Sequence, residues 1–284
     1  MTDKGPSIQC STGPFWAFEL ERALDVIADA GFKEIELMVT RDPRTQEAEI
    51  PLRLAEERGL QIRSIHAPFL VITKTVWGVD PIQKVRRGAE MCKAVGAPTL
   101  IVHPPYLWER DYARWLAKDA EAFTLGTGIS VAVETMYPKW IAGRKLRAYR
   151  WLDAGVLCDN CNQVALDTSH LTVARQDVLT ALDRMRPKLV HVHLSDNAGD
   201  GRDGHLELEQ GVLPLDRFLA ELVRTRYSRA VSLEISVVRY IERKKALVEM
   251  LRKNREYVES HLVGRPRSGK GMPRSRPAPI PPAT

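Results

Sequence analysis

Cysteine, long apolar runs and, at one end of the chain, acid are all scarce, and each scarcity excludes something. No apolar run approaches the ~20 residues of a bilayer span. The N-terminal stretch MTDKGPSIQC lacks the apolar core of a secretory signal. The expectation is a cytoplasmic protein with no membrane partner. Only four cysteines occur in 284 residues, and a chain of this length has no need of disulfides. Cys158-Asp-Asn-Cys161 is a lone CxxC; a zinc ribbon would need a second pair, so these cysteines read as structural. No P-loop supports a nucleotide-binding sheet. Acid is missing from residues 264–284, which carry Arg265, Arg267, Lys270, Arg274 and Arg276. The formal net charge is +6, and removing those five cations leaves a nearly neutral remainder. The same stretch is rich in Pro, Gly and Ser, so it is predicted to be a disordered, solvated tail behind a single domain over 1–263.

What the chain does have is a recurring strand ending. Six apolar runs stop at a histidine or a carboxylate: QIRSIH at His66, TLIVH at His103, VAVE at Glu134, VALD at Asp167, LVHVH at His193 and VSLE at Glu234. The gaps between them are 37, 31, 33, 26 and 41 residues, each about the length of one strand–helix unit. Adding 7–11 and 34–39 to strands at 61–66, 99–103, 129–134, 163–167, 189–194 and 230–235 makes eight. Most are continuous Val/Ile/Leu runs, as strands buried on both faces should be. Amphipathic segments at 18–30, 80–95, 173–185, 214–226 and 239–262 fill gaps between them, with Asp80-Pro81 and Gly96 as start and stop signals. Strict alternation predicts an α/β fold, a closed (β/α)8 TIM barrel in one domain.

That architecture gathers all strand ends around one mouth, where active sites of this fold lie. Glu134, Asp167, His193 and Glu234 suit a divalent cation such as Mn²⁺, Mg²⁺, Co²⁺ or Zn²⁺. A cation also resolves the cost of burying charge at an apolar strand end. His66, His103, His170, Asp203 and His205 form a second tier, read as substrate contacts or as ligands of additional metals. His191 shares the parity of His193 but lies deeper, so it reads as a packed histidine. His261 reads as surface. The aromatics Phe15, Trp16, Trp77, Tyr106, Trp108 and Trp140 fall in or near loops at the mouth and are candidates for an apolar wall.

At these residues the chain resembles the xylose-isomerase-like TIM-barrel superfamily over about residues 6–262. The motifs are SIHAPF, IVHPP, VAVET, ALDTSH, HVHLSDN, RDGHLELEQG and SLEIS. In the sugar isomerase and epimerase branch, the resemblance implies metal ligands at Glu134, Asp167, His193 and Glu234. It also implies proton transfer by Glu134 and Glu234, with His66, His103, His170 and His205 contacting a small sugar or polyol. In the endonuclease IV branch it implies three zinc ions and nine ligands, adding His66, His103, His170, Asp203 and His205, with abasic DNA as the substrate. Phe69 stands where that nuclease has a tyrosine, and Thr135-Met136-Tyr137-Pro138 replaces its Asn-Thr-Ala-Gly pattern. The isomerase phosphate loop is replaced by His205-Leu-Glu-Leu-Glu-Gln-Gly211, whose acids disfavour a phosphorylated substrate. The leading expectation is therefore a divalent-metal-dependent isomerase or epimerase, with the nuclease as alternative.

Overall fold

The computed structural model describes residues 5–141 and 144–262; the tail expected over 264–284 lies outside them. Eight parallel strands close into a barrel: β1 (Ser7–Ser11), β2 (Glu34–Met38), β3 (Gln61–His66), β4 (Thr99–Val102), β5 (Ser130–Glu134), β8 (Val164–Asp167), β9 (Leu189–Leu194) and β10 (Ala230–Leu233). Their order around the barrel is β1-β10-β9-β8-β5-β4-β3-β2. A short antiparallel hairpin, β6 (Lys139–Ile141) with β7 (Arg144–Leu146), is inserted after β5. Each of the eight barrel strands lies within two residues of its expected bounds, and the hairpin was not expected. None of the helices among the described residues is long and apolar enough to cross a membrane.

The helices bury one stripe each against the outer face of the sheet. In α9 (Leu215–Arg224), Leu215, Phe218, Leu219 and Leu222 recur at helical spacing and are all buried. Each such side chain contributes roughly 1.5–3 kcal/mol. In α3 (Pro81–Val95) the Asp80 carboxylate accepts from the Ile82 amide at 2.8 Å, and Gly96 closes the helix at φ 74°. The helix expected over 173–185 is shorter, α8 (Val178–Met185), and is preceded by a separate short helix, α7 (Thr168–Val173), that was not expected. Arg175 at φ 60° ends the first turn, and the Asp177 carboxylate caps the second by accepting from Thr180 N at 2.8 Å.

The barrel interior is divided. Ile101, Ala132, Ala165 and Val190 form a small apolar cluster on the arc from β4 through β5 and β8 to the start of β9. The arc from β9 through β10, β1, β2 and β3 instead buries Gln9, Ser11, Glu36, Ser64, His191, His193 and Ser232. Parallel strands keep their register, so each strand delivers its last inward residue to the same rim: Asp167 pairs with His193, and His193 with Ser232. The polar arc thus leads up to the mouth, directly beneath the strand-end residues.

Candidate metal centre and active site

Glu134 ends β5, Asp167 ends β8, His193 is one residue from the end of β9, and Glu234 follows β10. One ligand atom from each lies within 4.8 Å of the others. His193 Nδ1 sits between two carboxylates, 2.7 Å from Glu134 Oε1 and 3.2 Å from Glu234 Oε2. Because β5 and β10 are separated by two strands, these two carboxylates approach from different sides of the mouth.

The remaining five sequence candidates converge on the same place. His66 Nε2 and His103 Nε2 lie 3.4 and 3.3 Å from Glu134 Oε2. The His170 Nδ1 atom is 2.8 Å from the Thr135 carbonyl and 3.6 Å from Asp167 Oδ2. Asp203 accepts from Tyr137 OH at 3.0 Å and Ser169 Oγ at 2.7 Å, and lies 3.3 and 3.2 Å from His170 Nε2 and His205 Nε2. The ligand atoms fall into overlapping groups: Glu134, Asp167, His193 and Glu234; His66, His103 and Glu134; Asp167, His170 and His205. His191 lies deeper, fully buried beside Glu36, and His261 is on α10 (Lys244–Leu262), 3.0 Å from Asp216, away from the mouth.

The loop bearing Asp203 and His205 is pinned at its base. The Asp196 carboxylate accepts from the amides of Asn197, Gly211 and Leu213 at 2.8, 2.9 and 3.1 Å. A Cβ at Gly211 would stand 2.3 Å from both Asn197 O and Asp196 Oδ1, so only glycine closes the loop. This holds His205 with Nδ1 3.1 Å from the Glu234 carbonyl, at the positive φ of 41°.

Electrostatically, the site sets a cluster of carboxylates against a cluster of histidines, with no Lys or Arg lining it among the described residues. Burial pushes the Glu134 carboxyl up, but the charges of His193 and His170 outweigh it and hold Glu134 well below the usual range. Burial raises Asp167 and Glu234, and neighbouring carboxylates add to it. Burial alone would favour neutral His193, yet Glu36, Glu234 and Glu134 drive it well above its ordinary value. Burial holds His103 down to about 4, whereas the carboxylates around His205, chiefly Asp203, overcome burial and lift it to about 9. Asp167 Oδ2 is buried with no hydrogen-bond partner. A mixed carboxylate–imidazole set with one orphaned carboxylate oxygen fits a divalent cation, which would supply the missing partner.

The mouth encloses a cavity of about 250 Å³. His66, His103, Glu134, His170, Asp203, His205 and Glu234 make its polar side, and Trp16, Met38, Leu70, Met136 and Val238 its apolar side. No Lys or Arg lines it among the described residues. Of the expected aromatic wall, only Trp16 borders the cavity among the described residues. Trp77 turns away, with Nε1 donating to the Gln46 carbonyl at 3.0 Å, and Phe15 is buried in the core. Tyr106 stacks between Trp108 and Tyr149, and Tyr149 OH lies 3.4 Å from His103 Nδ1. The Trp140 side chain is outside what the structure describes. Sequence reasoning missed Tyr137, Tyr149, Met38 and Leu70, which lie in loops or carry no charge. It also missed Glu36, an acid in the middle of an apolar strand, which did carry a signal.

Residues 24–257 match the family model described as xylose isomerase-like TIM barrel. A Mycobacterium tuberculosis (strain H37Rv) protein described as uncharacterized is 30% identical over 281 residues, covering 89% of this chain and 96% of its own. Among solved structures, D-allulose 3-epimerase from Methylomonas sp. superposes with a TM-score of 0.66 at 17% identity, over 91% of this chain and 99% of that one. The 3-keto-D-glucoside 4-epimerase of E. coli gives 0.64 at 15%, over 88% and 99%. Barrel, strand-end residues and family match agree: the chain belongs to the xylose isomerase-like TIM barrel family.

Proposed function

We propose that the protein is a divalent-metal-dependent isomerase or epimerase acting on a small sugar or polyol-like substrate. The observation that carries this is Glu134, Asp167, His193 and Glu234 converging, with a carboxylate oxygen lacking a hydrogen bond, beside a small cavity. At about 250 Å³ the cavity lies below the ~300–1,000 Å³ of drug-sized sites and suits a monosaccharide. The absence of Lys and Arg from its described lining favours a substrate without phosphate. Glu134, Asp167, His193 and Glu234 would hold the cation, which when bound supplies Lewis acidity to a substrate carbonyl and its neighbouring hydroxyl. Glu134 and Glu234, flanking His193, are placed to remove a proton from one substrate carbon and return one to it. His66, His103, His170 and His205 hydrogen-bond substrate oxygens, and Trp16, Leu70, Met136 and Val238 exclude water from the reacting carbon. Solved neighbours named as epimerases support the reading.

The clustering of eight acidic and histidine residues, with Asp203 beside His170 and His205, favours one second reading, a trinuclear zinc phosphodiesterase on abasic DNA. Metal analysis with activity assays separates the two. One ion per chain and epimerisation of a ketose, lowered ~10²–10⁴-fold in Glu134→Gln and Glu234→Gln, supports the first. Three zinc ions per chain and incision of an abasic duplex supports the second.

A further inference from the structure

Glu36 lies in the middle of β2, on the barrel axis below the mouth, and its carboxylate is completely buried. Neither fold nor the nine-residue set requires it there. An unpaired carboxylate in that position would be prohibitively costly to desolvate, and the surroundings show what pairs it. Both oxygens face His193 Nε2, at 3.0 and 2.9 Å. Ser11 Oγ donates to it at 3.0 Å, and Ser64 Oγ lies 3.4 Å from it. The His191 Nε2 atom is 2.7 Å from Oε2. Ser64 in turn donates to Gln9 Oε1 at 2.5 Å, so the carboxylate is clasped by residues of β1, β3 and β9. The His193 ring therefore has its two nitrogens committed in opposite directions. Nε2 points down to Glu36, and Nδ1 points up to Glu134 and Glu234.

We infer that Glu36 is a positioning residue for the cation site: it accepts the His193 Nε2–H and so fixes the ring with unprotonated Nδ1 available as the metal-binding atom. This rests on the proposed function only in that His193 faces a divalent cation. A carboxylate on the far nitrogen of a ligating imidazole sets its tautomer and orientation and raises its basicity, and losing such a partner typically weakens metal binding 10–100-fold. The Ser11 hydrogen bond and the close contact with His191 hold the Glu36 carboxylate in place. The remaining carboxylates of the mouth cannot serve this role, because Glu134, Asp167 and Glu234 all face the Nδ1 side.

The test is cobalt binding to chelator-stripped protein, followed by the visible ligand-field bands of the bound ion. Glu36→Gln keeps the shape and an acceptor oxygen but removes the charge. It should weaken Co²⁺ binding 10–100-fold and shift the bands, while a circular dichroism spectrum stays that of the wild type. Ser11→Ala, a milder change, should weaken binding by a smaller factor. Unchanged affinity and bands in a folded Glu36→Gln protein would overturn the inference. Should Glu36→Gln fail to fold, the wild type still decides. With ¹¹³Cd bound and ¹⁵N-labelled histidine, metal coupling must appear on Nδ1 of the ligating histidine, and coupling on Nε2 would refute it. Absence of any divalent-cation binding by the wild type is a different failure: it defeats the metal reading itself, and the inference with it.

Discussion

Replacing Asp167 with asparagine should separate cation binding from fold stability. Asp167 is fully buried, and its two oxygens live differently. Oδ1 caps α7 by accepting from the His170 amide at 2.8 Å, a role an asparagine oxygen keeps. Oδ2 has no hydrogen-bond partner, only His170 Nδ1 and His193 Nδ1 at 3.6 and 3.9 Å, and burial already disfavours its charge. Leaving a buried acceptor unsatisfied costs about 1–3 kcal/mol. Without metal, neutralising the group should therefore stabilise the fold by about 1 kcal/mol, roughly 2 °C in a chain of this size. With metal the order reverses. A cation at a hundred times its Kd adds about 2.7 kcal/mol, roughly 5 °C, to the wild type, whereas the variant has lost a ligand and should gain little. Scanning calorimetry of both proteins, with chelator and then with excess Mn²⁺, reads the four values. A stripped variant less stable than the stripped wild type, with an undiminished Mn²⁺ shift, would refute the reasoning.

Two further outcomes follow from the same geometry. His103 is held down to about 4 against an ordinary 6.5, so the unfolded chain binds the extra proton between those values. Stability of stripped protein should fall by about 3 kcal/mol as pH drops from 6.5 to 4. His205, lifted to about 9, acts with the opposite sign: its contribution is complete below pH 6.5 and is lost as pH rises through 9. Urea midpoints should thus peak near pH 6.5 and decline on both sides, and a flat profile across pH 4–9 would contradict these assignments. Gly211→Ala forces a Cβ against Asn197 O and Asp196 Oδ1 and should cost about 1–3 kcal/mol. It should also weaken substrate binding through displacement of His205, measurable as a raised KM; an unchanged midpoint and KM would show that the loop base tolerates the side chain.

The barrel was legible because buried parallel strands are nearly continuous apolar runs, and because the residue ending each run broke its pattern. His66, His103, Glu134, Asp167, His193 and Glu234 each mark the point where the chain leaves the sheet, and all six meet at the mouth. Short helices were less legible. A positive φ at Arg175 and the Asp177 cap start α8 later than the amphipathic pattern suggests and set it apart from the short α7 before it. The aromatic wall was mostly misread, because loop direction decides it: a single hydrogen bond to Gln46 O turns Trp77 aside. Glu36 was available in principle. It alternates with Ile35 and Leu37 on a strand that the fold buries on both faces, and a mid-strand acid there implies a built partner.

Cation-assisted proton transfer at a substrate carbon leaves an isotopic trace when the reaction runs in heavy water. Metal-loaded protein is incubated with a panel of unphosphorylated ketoses in D₂O, and the products are read by NMR. The account predicts an epimer or isomer bearing deuterium at a single carbon next to the carbonyl, abolished by chelator and by Glu134→Gln or Glu234→Gln. No exchange with any member of the panel, together with rapid incision of an abasic-site duplex by the same preparation, would contradict it.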